Sequence, residues 1–356
     1  MSNVIDSSSS SGAAAAAAQN TSAAVDVSQP YDASTLKNKT IVITGGSNGL
    51  GAAMVREWAS HGASVMVGDL DDAAGEALIA ELRAKYHVKG TGGGDSKGPS
   101  FGYVHCDVTS WEDQRRFFED AQRLSPTGRL DIVVPNAGII QPSQSADFEH
   151  PGRLDADGKL ARPSTKTVDV NITGVLYTVH LGLWYFSQSR SARDHCILLV
   201  GSVASVLPLV GQTHYTLSKH AVCGLFRSLR ATAFAQQPGR VRVNMIAPYF
   251  VEQSRMFPPV TTTLFLGGSA GGATVEDVTN GDDDDGTHEG AGIMGRPVQG
   301  HEGRGHGRAV WDLYAHDHQQ VDSFTHRYIA LINAVAKIRG VRGFFVDVWR
   351  KLIRRE

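Results

Sequence analysis

Residues 40–51 read Thr40-Ile41-Val42-Ile43-Thr44-Gly45-Gly46-Ser47-Asn48-Gly49-Leu50-Gly51, a β-branched run that stops in a glycine-rich turn. Ile41 to Ile43 favour extended backbone, Ala52 to His61 has the apolar spacing of a helix, and Ser64 to Val67 is a second short apolar run. Together they predict a βαβ unit. Its turn presents backbone N–H groups at a helix start, where a pyrophosphate can be held. Gly45 permits the turn, while Gly49 and Gly51 permit close approach of phosphate to backbone and of helix to strand. The spacing is GxxxGxG, not the commoner GxGxxG.

Working outward, Asp69 follows the second strand, where a carboxylate can accept hydrogen bonds from the ribose hydroxyls of an adenosine. Leu70, Ser47 and Asn48 offer no positive charge to a 2′-phosphate, which Asp69 would repel, so the expected cofactor is NAD. Asp69 also has a plainer reading, as a helix cap or turn residue. Asp107, in Cys106-Asp107-Val108-Thr109, can face the adenine edge or cap the helix that starts near Ser110.

Further strands are expected at Phe101 to His105, Ile132 to Val134, Ile197 to Val200 and Val241 to Ile246, with helices over 112–124, 164–187 and 215–236. Such alternation predicts an α/β fold: a Rossmann-type, doubly wound parallel sheet in one domain, covered on both faces. The expected divisions are a disordered tail over 1–36, a NAD-binding catalytic domain over 37–266, a low-complexity loop or insertion over 267–308 and a helical extension over 309–356. No apolar strand is expected within 267–308.

The chain has 356 residues, 41% of them hydrophobic, and a formal net charge of −2, which gives no electrostatic case for nucleic acid. Cys106, Cys196 and Cys223 are far apart in sequence and suit a reducing compartment. The first 36 residues lack a basic start and an apolar core segment, so a cytoplasmic location is expected. Asp282 to Asp285 read as a solvated loop, without the ligand spacing of a calcium site. His288, His301, His306, His316 and His318 lie among glycines without carboxylate or thiolate companions, and no metal is expected. Gly343 to Glu356 has the pattern of a basic amphipathic helix; packing on the domain or a second subunit is favoured over peripheral membrane contact.

Tyr215 and Lys219 are four residues apart, hence on one face of a helix. A cation near a phenol stabilises the phenolate, so Tyr215 can exchange a hydroxyl proton while hydride moves to or from a nicotinamide. Ser202 follows a strand, at a carboxyl end of the sheet, and can hydrogen-bond an oxygen on which negative charge develops. Taken alone, a Tyr and Lys at this spacing are an ordinary solvent-facing pair.

In order along the chain, Thr44 to Gly51 (TGxxxGxG), Asn136-Ala137-Gly138 (NAG), Ser202 and Tyr215 to Lys219 (YxxxK) resemble the motifs of the short-chain dehydrogenase/reductase family, over about residues 37 to 255. The resemblance implies catalytic roles for Asn171, Ser202, Tyr215 and Lys219, with Asn171 supporting a water that leads from Lys219 to solvent. It implies cofactor contacts at Gly45, Ser47, Asn48, Gly49, Leu50, Gly51, Asp69, Asp107, Val108, Asn136, Ala137, Gly138, Tyr215, Lys219, Pro248 and Val251, with Asn136 in the sheet centre beside the adenosine ribose. It also implies a homodimer or homotetramer through the helices that follow Ser164 and Tyr215. Tyr249 and Gln253 stand where the family has a glycine and a threonine.

The expected activity is NAD-dependent interconversion of a secondary alcohol and a ketone. Val203, Val206, Leu207, Leu209 and Val210, with Tyr249, Phe250, Met256 and Phe257, suggest a lipophilic small molecule: steroid-like, fatty, or a polyketide or terpenoid secondary metabolite. The alternative is a catalytically idle NAD-binding regulatory protein.

Overall fold

The computed structural model describes residues 32–88, 98–189, 194–236, 241–248, 251, 291–294 and 309–312. β1 (Thr40–Thr44) pairs in parallel with β2 (Ser64–Asp69) on one side and β4 (Ile132–Pro135) on the other. β3 (Phe101–His105) lies outside β2; β5 (His195–Val200) and β6 (Val241–Pro248) continue beyond β4. With β7 (Ala291–Met294) and β8 (Ala309–Asp312), the sheet order is β3-β2-β1-β4-β5-β6-β7-β8. Strand order reverses between β1 and β4, which opens a crevice at their carboxyl ends.

Alternate side chains of each strand enter opposite cores. Ile41, Ile43, Val65, Val67, Leu198 and Val200 join a cluster with Met54, Val55 and Trp58 of α1 (Gly49–Ser60) and Leu78, Ile79 and Leu82 of α2 (Asp72–Lys85). Val42, Met66, Val133, Ile197 and Leu199 join Phe117 and Phe118 of α3 (Trp111–Leu124), and the same cluster takes in Val179 and Phe186 of a helix that follows α4 (Pro142–Glu149) in the chain. Strands buried on both faces carry near-continuous apolar runs, and burying a side chain of this size is worth about 1.5–3 kcal/mol.

Where one helix was expected over 164–187, the chain forms α5 (Lys166–Val168), a π-helical stretch Asp169–Gly174 and α6 (Val175–Gln188). Short π segments inside helices accompany functional sites, and this one contains Asn171. α7 (Thr213–Gln236) carries the Tyr215–Lys219 pair.

Two expectations about boundaries need correction. Ala33–Leu36 form a 3₁₀ turn capped by Asp32, with Ala33 and Leu36 buried in the core, so the folded domain includes residues ahead of Lys37. β7 is a strand within 267–308, where none was expected. Ala291-Gly292-Ile293-Met294 has too few large apolar residues to be read as a strand, and its conformation comes from pairing with β6, with Ile246 beside Ala291 and Pro248 beside Ile293. β8 then pairs antiparallel with β7. Residues 1–31, the Asp282 to Asp285 run, the five histidines from His288 to His318 and the basic stretch Gly343 to Glu356 lie outside the described residues. Among the described residues no helix is long and apolar enough to cross a membrane.

Candidate active site

A cleft of about 540 Å³ runs along the carboxyl ends of the strands. One arm is built on the first βαβ unit. Gly45 has φ +67°, open to glycine at little cost, and a Cβ at Gly51 would sit 2.2 Å from the Gly45 carbonyl oxygen, so α1 begins directly against the loop. Asn48, the N-cap of α1, makes no side-chain cap hydrogen bond, and its amide reaches 2.9 Å to Asp71 instead. The first N–H groups of α1, with no acidic residue in its first turn, are suited to an anion such as a pyrophosphate. Asn136 Nδ2 donates to the carbonyls of Thr44 (3.1 Å) and Gly45 (2.7 Å), fixing the loop over β4.

Asp69 ends β2 on the cleft wall, and its carboxylate is held by backbone N–H groups of the glycine loop and of its own turn. Oδ2 accepts the Ser47 N–H at 2.9 Å; Oδ1 accepts those of Leu70 at 2.7 Å and Asp71 at 3.2 Å. The cap of α2 is Asp71, so Asp69 does not serve that role. Asp107 likewise does not cap α3, since Ser110 does; its Oδ1 accepts the N–H and hydroxyl of Thr109 while the residue lines the cleft.

The other arm joins Ser202, Tyr215 and Lys219. All three are buried and line the cleft. The Lys219 ammonium lies 5.7 Å from the Tyr215 ring centre and donates to the Val200 carbonyl at 2.8 Å. Burial lowers the Lys219 pKa to about 8. Burial raises that of Tyr215, and a hydrogen bond with Ser202 pulls it part of the way back. Desolvation is thus the largest influence on both groups, ahead of any effect of the lysine cation on the phenol.

Asn171 stands behind this arm as a brace. Its Oδ1 accepts the Ile139 N–H at 2.8 Å, and its Nδ2 donates to the Ile139 carbonyl at 2.9 Å and the Ser218 hydroxyl at 3.0 Å. Ser218 in turn donates to the Tyr215 carbonyl at 2.7 Å, so the loop after β4 and the first turn of α7 are tied through one amide. A Cβ at Gly138 would lie 3.5 Å from Asn171 Oδ1 and 3.8 Å from Lys219 Nζ, which marks where the two side chains converge.

Gly45, Asn48, Gly49, Leu50, Gly51, Asp69, Asp107, Val108, Asn136, Ala137, Gly138, Pro248 and Val251 all line the cleft with Ser202, Tyr215 and Lys219. Ser47 and Asn171 are buried and are not among the residues that line it. Of the apolar residues expected near substrate, Val203 and Leu209 line the cleft, while Val206 and Val210 are exposed. Tyr249, Phe250, Gln253, Met256 and Phe257 lie outside the described residues.

Sequence reasoning missed Gln114. Fully buried, it donates to the carbonyls of Val108 (2.6 Å) and Gly174 (2.9 Å) and accepts from the Thr178 hydroxyl (2.7 Å), joining the cleft loop to the π-helical stretch. A glutamine on the apolar face of a strongly amphipathic helix was the available signal. Lys166 and Ile140, also on the cleft wall, had no signal in the sequence.

A family model described as short chain dehydrogenase matches residues 39–264. The 5′-hydroxyaverantin dehydrogenase of Dothistroma septosporum is 34% identical over 234 residues, covering 64% of this chain and 72% of that one. An NADP-dependent dehydrogenase of Cochliobolus lunatus is 30% identical over 239 residues, covering 65% and 77%. A crystal structure of a Brucella melitensis short-chain dehydrogenase/reductase, glucose/ribitol dehydrogenase, shares the fold with a TM-score of 0.53 at 21% identity, over 69% of this chain and 88% of that one. Glycine cradle, paired arms and matched model together place the chain in the short chain dehydrogenase family, as an oxidoreductase.

Proposed function

We propose that the chain is an NAD-dependent dehydrogenase/reductase that interconverts a secondary alcohol and a ketone on a lipophilic molecule, such as a steroid-like, fatty, polyketide or terpenoid compound. The observation that carries this reading is the convergence of Ser202, Tyr215 and Lys219 on one cleft with the glycine loop and Asp69. A bound nicotinamide supplies or accepts the hydride. Tyr215, held protonated by burial, gives its proton to the carbonyl oxygen during reduction and takes it back during oxidation. Ser202 hydrogen-bonds the same oxygen as charge grows on it, and Lys219, with Asn171 bracing the adjacent loop, passes the proton onward.

The choice of NAD rests on Asp69. Its carboxylate is pinned by three backbone N–H groups and cannot turn away from a 2′-phosphate. Since a relative is named as NADP-dependent, the preference is read from this residue and not from the family. The dehydrogenase of a 5′-hydroxy compound among the relatives supports an alcohol as substrate. Three buried free cysteines suit the reducing cytoplasm. Leu176 and Trp184 on α6 and Leu217 on α7 are large apolar side chains left exposed, as a homodimer or homotetramer through these helices requires.

The test is fluorescence titration with NADH and NADPH, followed by absorbance assays on a panel of lipophilic ketones and secondary alcohols. NADH binding with turnover is expected. Tyr215→Phe should keep NADH affinity and lose turnover by about 10²- to 10⁴-fold, because only the transferable proton is removed. Wild-type turnover in that variant would refute the proton donor.

A further inference from the structure

We propose that Lys166 makes the cleft selective for an organic anion, so that the alcohol or ketone this chain takes carries an ionised carboxylate or acidic phenol on an otherwise apolar body. The inference rests on the dehydrogenase reading above and names the substrate class for that same site.

The charged and amide groups of the cleft wall are nearly all spoken for by the protein. Lys219 is buried against the Val200 carbonyl. Asp69 is tied to the glycine loop and to its own turn, Asp107 to Thr109, and the amides of Asn48 and Asn136 to Asp71 and the glycine loop. Lys166 differs: it lines the cleft with an exposed side chain, and among the described residues its ammonium makes no hydrogen bond and has no carboxylate within ion-pairing distance.

Its backbone is nevertheless held at the catalytic corner. The next residue, Thr167, is buried and donates its N–H to Gln144 Oε1 on α4 at 3.2 Å. On the same helix Ser145 Oγ accepts the N–H of His214, the residue before Tyr215, at 3.3 Å. Ile140, which leads into α4, packs with Leu209 and Tyr215. The anion cradle for the cofactor, by contrast, is on the β1–α1 turn, and Asp69 is on β2.

A lysine on an open surface is ordinarily a solvated charge of no consequence. Here Lys166 shares the wall of a cleft with Ile139, Ile140, Val203 and Leu209, whose apolar sides focus the field of a cation beside them. An apolar body can bury itself against those side chains while an attached anionic oxygen accepts a charge-assisted hydrogen bond from Nζ.

The full chain loaded with NADH is titrated, by fluorescence and calorimetry, with 4-acetylbenzoate and its methyl ester, a pair that differs in the charge. The carboxylate should bind at least about threefold more tightly than the neutral ester, Lys166→Gln should bring that ratio to about one, and Lys166→Arg should retain it. Equal affinity in the wild type, binding of neither ketone, or a ratio that survives Lys166→Gln would overturn the proposal. So would a loss of NADH affinity in Lys166→Gln, which would assign the ammonium to cofactor phosphate. Failure of the dehydrogenase reading is separable, since it would show as absent NADH binding or an active Tyr215→Phe.

Discussion

At the residue scale, Lys219 is a position whose cost to the fold goes with the role proposed for it in proton transfer. Its pKa falls from 10.5 to about 8 because burial penalises the ammonium more than the Val200 carbonyl compensates it. A group whose folded pKa is lowered in this way binds fewer protons folded than unfolded between the two values, so stability rises with pH across that window. Wild-type protein should therefore gain stability relative to Lys219→Met between pH about 8 and about 10.5, and show no such relative gain below about 7. Urea unfolding of both proteins across pH 6 to 10, a range set by roughly those two values, checks the sign. Asp69 is the second such residue. Replacing it with alanine removes the pinned charge and should narrow the ratio of NADPH to NADH dissociation constants by about tenfold or more, on the scale of a close like-charge pair, as read by the same fluorescence titration. An unchanged ratio would mean that Asp69 serves only to hold the Ser47 backbone.

At the scale of elements, the site depends on polar side chains that staple one piece of backbone to another. Asn136 joins β4 to the glycine loop, Asn171 joins the loop after β4 to α7, and Gln114 joins α3 to the π-helical stretch. Gln114→Leu keeps the volume but leaves the carbonyls of Val108 and Gly174 buried without this donor. That should cost roughly 2–4 kcal/mol of unfolding free energy with an unchanged denaturant slope. Because Val108 lines the cleft, NADH affinity should weaken alongside it. A fully stable variant would mean that Thr178 alone satisfies Gly174.

At the scale of the whole molecule, α6 presents Leu176, His180 and Trp184 along one exposed stripe, with Leu217 of α7 also exposed. Exposed side chains of that size on two helices predict a symmetric interface. Trp184→Glu should shift the chain to a smaller species in light scattering coupled to size exclusion, without loss of helical circular dichroism. Identical masses for the two proteins would move the interface elsewhere.

The sequence by itself determined the first βαβ unit, the parallel sheet from β1 to β6 and the grouping of the glycine loop, Asp69, Ser202, Tyr215 and Lys219 at one edge. These follow from local causes: β-branched runs, helical spacing, glycine conformation and motifs short enough to read along the chain. Only the tertiary structure decided the rest. β7 exists because β6 offers it hydrogen bonds, since its own four residues carry little propensity. Asn171 became a brace because Ile139 and Ser218, 32 and 47 residues away, meet there. The pKa values of Tyr215 and Lys219 depend on burial, which no spacing of residues records. Lys166 reached the cleft wall because Gln144 on a neighbouring helix anchors the residue beside it. Each is a contact between distant segments, whose energy depends on three-dimensional packing and not on the order of side chains along the chain.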